Sequence, residues 1–208
     1  MFHRGFIKTD NKIPRIDMTP FNLKALACTG LALLASQAAY AQHDEVLLRP
    51  LVESAAQRLA IAHDVALSKW DSGTSVEDPA REAVVISKAV AEGGQSGLPA
   101  DDVTRFFKAQ IEANKVVQYG LLTTWRRIGY APQHAPIDLV GTIRPELDSL
   151  QTKLIAELVE ARPVLEGKDC ATEVAHAVGR YAFEHQYHLS NVPLIALDRA
   201  MAGFCRIY

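Results

Sequence analysis

Beyond residue 44, apolar residues recur every three or four positions through most of the chain, and that period commits it to helices. From Glu45 to Trp70 the stripe is Val46, Leu47, Leu51, Val52, Ala55, Leu59, Ala62, Val65, Ala66 and Trp70. Residues 71–75 break it. Asp78-Pro79 reads as a cap followed by proline at the first helical position, opening a second helix that runs to about Glu92. Gly93, Gly94, Gly97 and Pro99 are expected to close it. Asp101 or Asp102 can cap a long third helix carrying Val103, Phe106, Phe107, Ile111, Val116, Val117, Tyr119, Leu121 and Leu122, to about Arg127. The stretch GYAPQHAPID has two prolines and no period, so it reads as a linker. A fourth helix is expected from about Leu139 to Ala161, stopped at Arg162-Pro163 because the residue before proline avoids the helical region. Two further helical patterns span roughly 169–187 and 192–204. No segment of useful length alternates with period two. The expected fold is all-α, a single-domain bundle of about six helices with no β-sheet.

The first forty residues read differently. Lys8, Lys12, Arg15 and Lys24 precede the apolar run ALACTGLALLA, and the triplet Ala39-Tyr40-Ala41 fits a signal-peptidase site. Residues 1–41 are therefore expected to be a leader cleaved before Gln42, with Met18 as an alternative start. The apolar run is short for a membrane span, and nothing later approaches one, so no membrane association is expected after cleavage. Export would place Cys170 and Cys205, the two cysteines left after Cys28 departs with the leader, in an oxidising compartment. A disulfide between them is the natural expectation.

Composition and motifs remove several function classes. With 22 Lys+Arg against 24 Asp+Glu and no basic block, there is no electrostatic footprint for nucleic acid. A Gly-rich phosphate loop and a G-x-S-x-G elbow are both missing, which leaves nucleotide and serine-hydrolase readings without support. His185 and His188 stand three apart but lack a third ligand at suitable spacing. They read as packing beside Tyr181, Phe183 and Leu189, and no metal is expected.

The charges of KWDSGTSVEDPARE, residues 69–82, raise the remaining question. Arg58 and Lys69 are eleven residues apart, about three turns plus 20°, so they share a face of the first helix. On the third helix Asn114 and Gln118 form an i,i+4 pair on a largely apolar stripe, where uncharged polar groups need partners. Taken singly, Arg58 and Lys69 read as solvated side chains, Asp78 as a helix cap, and Asn114 with Gln118 as a surface pair. Their order and spacing as a set point elsewhere.

Arg58, Lys69, Asp78, Arg81-Glu82, then Asn114 and Gln118 within VTRFFKAQIEANKVVQ, resemble the active-site pattern of the all-helical chorismate mutases. The leader, the unfused mature chain, Arg144 after the proline-containing linker, and the Cys170/Cys205 pair are similar to the secreted class of that family. The resemblance implies the Claisen rearrangement of chorismate to prephenate, with no cofactor and no covalent intermediate. It casts Arg58 and Arg144 as carboxylate-binding arginines, with Asn114 assisting where relatives often have Ser or Thr. Lys69 and Gln118 correspond to the donors to the ether oxygen, and Arg81 to the arginine beside the carboxylates. Asp78 and Glu82 lie where the family contacts the ring hydroxyl, while Val85 is apolar where some secreted relatives place a polar contact. A homodimer with each site inside one chain is also implied. The other reading left open is a secreted helical bundle that binds a small dianion without transforming it.

Overall fold

In the computed structural model, residues 44–187 and 191–206 are described. The expected leader, residues 1–41, and His188 lie outside them. The described chain is helical, with no strand: α1 (44–60), α2 (Ala62–Ser72), α3 (Pro79–Gln95), α4 (Ala100–Ile128), a π-helical turn (Leu139–Ile143), α5 (Arg144–Glu160), a short α6 (Arg162–Leu165), α7 (Cys170–Glu184) and α8 (Val192–Met201). All the expected helices are present, and their ends differ in instructive ways.

The first expected helix is interrupted at Ile61, which keeps helical angles (φ −63, ψ −22), so the chain bends there without breaking. Ile61 N to Gln57 O (3.3 Å) and Val65 N to Ile61 O (3.1 Å) carry the hydrogen bonding across. The second helix does not stop at Gly93 but continues to Gln95. A Cβ on Gly93 would stand 2.8 Å from Val103 Cγ2, so this glycine serves the close approach of α3 to α4. The terminating turn is at Gly97, whose φ of +74 suits glycine.

The expected start of the fourth helix at Leu139 is a π turn, not an α turn. Asp138 caps it by accepting from Val140 N (3.1 Å) and Gly141 N (2.7 Å). Pro145 has no N–H to give to an α-type bond and its ring crowds the carbonyl four residues back. The wider i→i+5 loop, Ile143 N to Asp138 O and Arg144 N to Leu139 O, delivers the chain into α5 with Pro145 in its first turn. Beyond Glu160, Pro163 starts the short α6 instead of ending all helix.

Helix α4 is the hub, packed against α2, α3 and α8. The main core joins Leu48, Leu51, Val52 and Ala55 of α1, Phe106 and Phe107 of α4, Leu154 and Leu158 of α5, and Leu197 of α8. Each such large side chain contributes about 1.5–3 kcal/mol by leaving water. A second cluster, Ala66, Leu67, Val76, Leu122 and Trp125, fixes α2 and its loop on the far half of α4. A third, Ile61, Val65, Ile143 and Leu150, ties the bend and α2 to the π turn and α5. The Cys170–Cys205 disulfide is formed, with Cα atoms 5.9 Å apart and 35 residues between the partners in sequence. It ties the start of α7 to the segment after α8 and, in the chain-entropy description, stabilises the fold by about 4 kcal/mol.

Candidate active site

Five helices, α1 to α5, and the π turn enclose a cavity of about 810 Å³, counting the space at its mouth. Arg58, Lys69, Asp78, Arg81, Glu82, Asn114, Gln118 and Arg144, all singled out in the sequence, line it together. Val65, Val76, Val85, Ile111, Leu139 and Leu147 supply an apolar wall. Lys115, Asp148 and Gln151 complete the lining.

The charges sort into two groups by whether the protein has already paired them. Asp78 caps α3, accepting from Arg81 N at 3.0 Å, so its role as a cap and its place in the cavity coexist. Lys115 Nζ lies 2.8 Å from Glu77, 3.3 Å from Glu82 and 2.7 Å from Glu112. Burial by itself would lower the Lys115 pKa, but Glu112, Glu77 and Glu82 outweigh it and hold the ammonium above the ordinary lysine range. Arg81 Nη2 reaches Asp148 at 3.5 Å, and Lys88 shares that carboxylate at 2.8 Å.

Arg58, Lys69 and Arg144 make no ion pair among the described residues. Arg58 is only 5% exposed, and its Nε is buried without a hydrogen-bond partner among the described residues. Burial, aggravated by the nearby Arg81 charge and only partly offset by Asp148, pushes the Arg58 pKa down to about 10. Lys69 Nζ donates to Val76 O at 2.6 Å, a contact that aims it across the loop, and burial lowers its pKa below the usual lysine value. Arg144 sits at the junction of the π turn and α5, so the extra residue in that turn sets its direction around the helix. Three cations without carboxylate partners among the described residues, around one apolar-walled cavity, give it the charge and geometry to hold an anion carrying more than one charge.

The amides are ordered among themselves. Asn114 Nδ2 donates to Arg58 O (3.2 Å), and Gln118 Nε2 donates to Asn114 Oδ1 (2.6 Å). One N–H of Gln118 remains free to donate into the cavity. Gln118 Oε1 is buried with no partner among the described residues.

Lys115, Asp148 and Gln151 were not anticipated from the sequence. Asp148 and Gln151 stand four and seven residues after Arg144, the spacing of one helical face, and that signal was available. Lys115 offered none, because a lysine beside Asn114 on a helix reads as solvated. His185, the described member of the histidine pair, stacks on Tyr181 at 3.9 Å between ring centroids and contacts Tyr181 O through Nδ1. No cluster of three or more metal-ligating side chains occurs among the described residues, and no helix among them is long and apolar enough to cross a membrane.

The comparisons with known proteins point to one family. The family model for Chorismate mutase type II matches residues 49–119, which run from α1 through most of α4. The secreted chorismate mutase of Mycolicibacterium smegmatis is 32% identical over 87% of this chain and 99% of its own length. Among solved structures, chorismate mutase from Burkholderia phymatum superposes with a TM-score of 0.74 at 44% identity, covering 79% of this chain and 99% of that one. The chorismate mutase from Burkholderia thailandensis gives a TM-score of 0.71 at 32% identity, covering 76% of this chain and 99% of that one.

Proposed function

The chain belongs to the chorismate mutase family, in its all-helical form, and we propose that the cavity rearranges chorismate to prephenate with Lys69 and Gln118 acting at the breaking C–O bond. The observation that carries the assignment of roles is the set of three cations, Arg58, Lys69 and Arg144, that face one cavity without ion-pair partners among the described residues.

Chorismate brings two carboxylates, a ring hydroxyl and an enol-ether oxygen. In the Claisen step the ether C–O bond breaks as a C–C bond forms, and negative charge grows on that oxygen. Arg58 and Arg144 hold the carboxylates, where the planar guanidinium fork matches a carboxylate edge. Arg81 lies beside them, and Asn114 is at hand for one carboxylate. The compact ammonium of Lys69 and the free N–H of Gln118 donate to the ether oxygen, an interaction stronger in the transition state than in the ground state. Asp78 and Glu82 face the ring hydroxyl, and the apolar wall packs the ring in its folded, reactive conformation. Val85 leaves that hydroxyl without a side-chain donor or acceptor at its own position. Positioning and electrostatic stabilisation together must supply at least about 8 kcal/mol, even for a modest enzyme. No cofactor is needed for a pericyclic step.

The test is direct. Purified protein should consume chorismate, read as loss of its absorbance, with prephenate identified by acid conversion to phenylpyruvate. Saturable binding of chorismate without consumption would instead establish the dianion-binding bundle.

The protein is a secreted one, like the relatives that carry that word in their names. Residues 1–41 are its leader in this reading, and N-terminal sequencing of the exported form should begin at Gln42. Family resemblance favours a homodimer, and its sites would be independent because every proposed site residue comes from a single chain. Light scattering on the eluting peak tests the dimer, and a fully active monomer would refute it.

A further inference from the structure

The bend at Ile61 changes what the backbone of Arg58 can do. In an uninterrupted helix the Arg58 carbonyl would accept from the N–H four residues on. Across the bend the main-chain bonds are Ile61 N to Gln57 O and Val65 N to Ile61 O, and Arg58 O instead accepts Asn114 Nδ2 at 3.2 Å. A carbonyl oxygen can only accept, so Asn114 must turn its NH₂ toward it. That leaves Asn114 Oδ1 facing Gln118, one helical turn along α4, and Gln118 must answer with its own NH₂, at 2.6 Å. Gln118 Oε1 is buried and unpartnered among the described residues, so nothing on its other side holds the amide. Asn114 is the contact that decides which way Gln118 faces.

We propose that Asn114 is a positioning residue: it carries the orientation of the Arg58 carbonyl to Gln118 and so keeps an N–H, not the amide oxygen, available to the ether oxygen of the substrate. If Gln118 turned over, Oε1 would oppose Asn114 Oδ1 on one side, while the group offered to the reacting oxygen would change from donor to acceptor. This rests on the reading of Gln118 given above, and it differs from the direct carboxylate contact assigned to Asn114 by resemblance.

The experiment is a kinetic cycle of Asn114→Ala, Gln118→Ala and the double variant on chorismate, with kcat and KM separated and folding checked by circular dichroism. Asn114→Ala should lower kcat by about tenfold or more while KM moves by less than about threefold, the signature of an interaction felt in the transition state. In the Gln118→Ala background the same substitution should change kcat by less than about twofold, because the residue it orients is gone. Should Asn114→Ala not fold, Asn114→Ser, whose hydroxyl is too short to hold both partners, enters the same cycle. A raised KM with unchanged kcat, or losses that multiply in the double variant, would overturn the relay and return Asn114 to the carboxylate. Unimpaired turnover by Gln118→Ala would overturn the role of Gln118 itself, and the relay with it.

Discussion

Arg58 should make the folded protein less stable than it would be without it. The guanidinium is 5% exposed, has no ion pair among the described residues, and has its pKa lowered from the ordinary arginine value to about 10, chiefly by burial. That depression corresponds to about 3 kcal/mol by which the folded state disfavours the charged side chain. Both values lie above neutrality, so the penalty is fully present at pH 7. It would be relieved only as pH rises above about 10 toward the ordinary arginine pKa, where the folded protein sheds a proton that the unfolded chain still holds. Replacing Arg58 with Met keeps a long side chain and removes the charge, at a packing cost of about 1 kcal/mol. The net gain of about 1–3 kcal/mol should raise the melting temperature of the ligand-free protein by about 3–10 °C. The same variant should lose at least about a hundredfold in kcat/KM, because a buried charge-assisted contact to substrate carboxylate is gone. Thermal melts by circular dichroism and initial rates of chorismate loss read the two effects. A variant that melts below wild type would show the guanidinium to be compensated in the free protein. One that keeps near-normal turnover would remove Arg58 from the site.

Gln118→Glu should make activity pH-dependent: kcat/KM falls as pH rises through the new carboxyl's pKa, since only the protonated acid can donate to the ether oxygen. Parallel pH–rate profiles for variant and wild type would refute the placement of Gln118. In the wild type, the burial-lowered pKa of Lys69 should bring the alkaline loss of kcat/KM to lower pH than a free lysine would give, and a profile flat beyond the ordinary lysine range would exclude Lys69 as a charged donor. Replacing Cys170 and Cys205 with Ser should lower the melting temperature by about 8–16 °C, from about 4 kcal/mol of lost chain constraint, without abolishing turnover at low temperature. Free thiols found by mass spectrometry of the exported protein would refute the bridge. Asp102, held below the usual carboxylate range by its hydrogen bonds from Arg206 and from Arg105, should add stability above about pH 3.9 and lose it as pH falls through its lower folded pKa. Asp102→Asn should therefore destabilise by about 1.5–3 kcal/mol at pH 7, with the gap closing in strong acid as measured by urea denaturation.

The periodicity of apolar residues was enough to fix the helices, because each helix must bury one stripe and that stripe is written locally. The helical period also put Arg58 and Lys69 on one face and Asn114 and Gln118 on another, while Asp78-Pro79 marked the cap of α3. Their order along the chain was enough to suggest the chemistry. Periodicity does not say which face of which helix will meet another. That α1, α2, α3, α4 and α5 turn these residues into a single cavity depends on the core formed by Phe106, Phe107, Leu154 and their neighbours. The exceptions to local rules have the same origin. Gly93 lies inside α3 because Val103 packs against it, and the chain widens to a π turn before Pro145 while the Ile61–Ile143 cluster holds that turn against α2. Lys115 lines the cavity because carboxylates from three separate positions, Glu77, Glu82 and Glu112, converge on it and offset its burial. Only Glu112, three residues earlier on α4, is written locally; burying a charge is favourable only where its partners meet, and the tertiary structure alone brings Glu77 and Glu82 there.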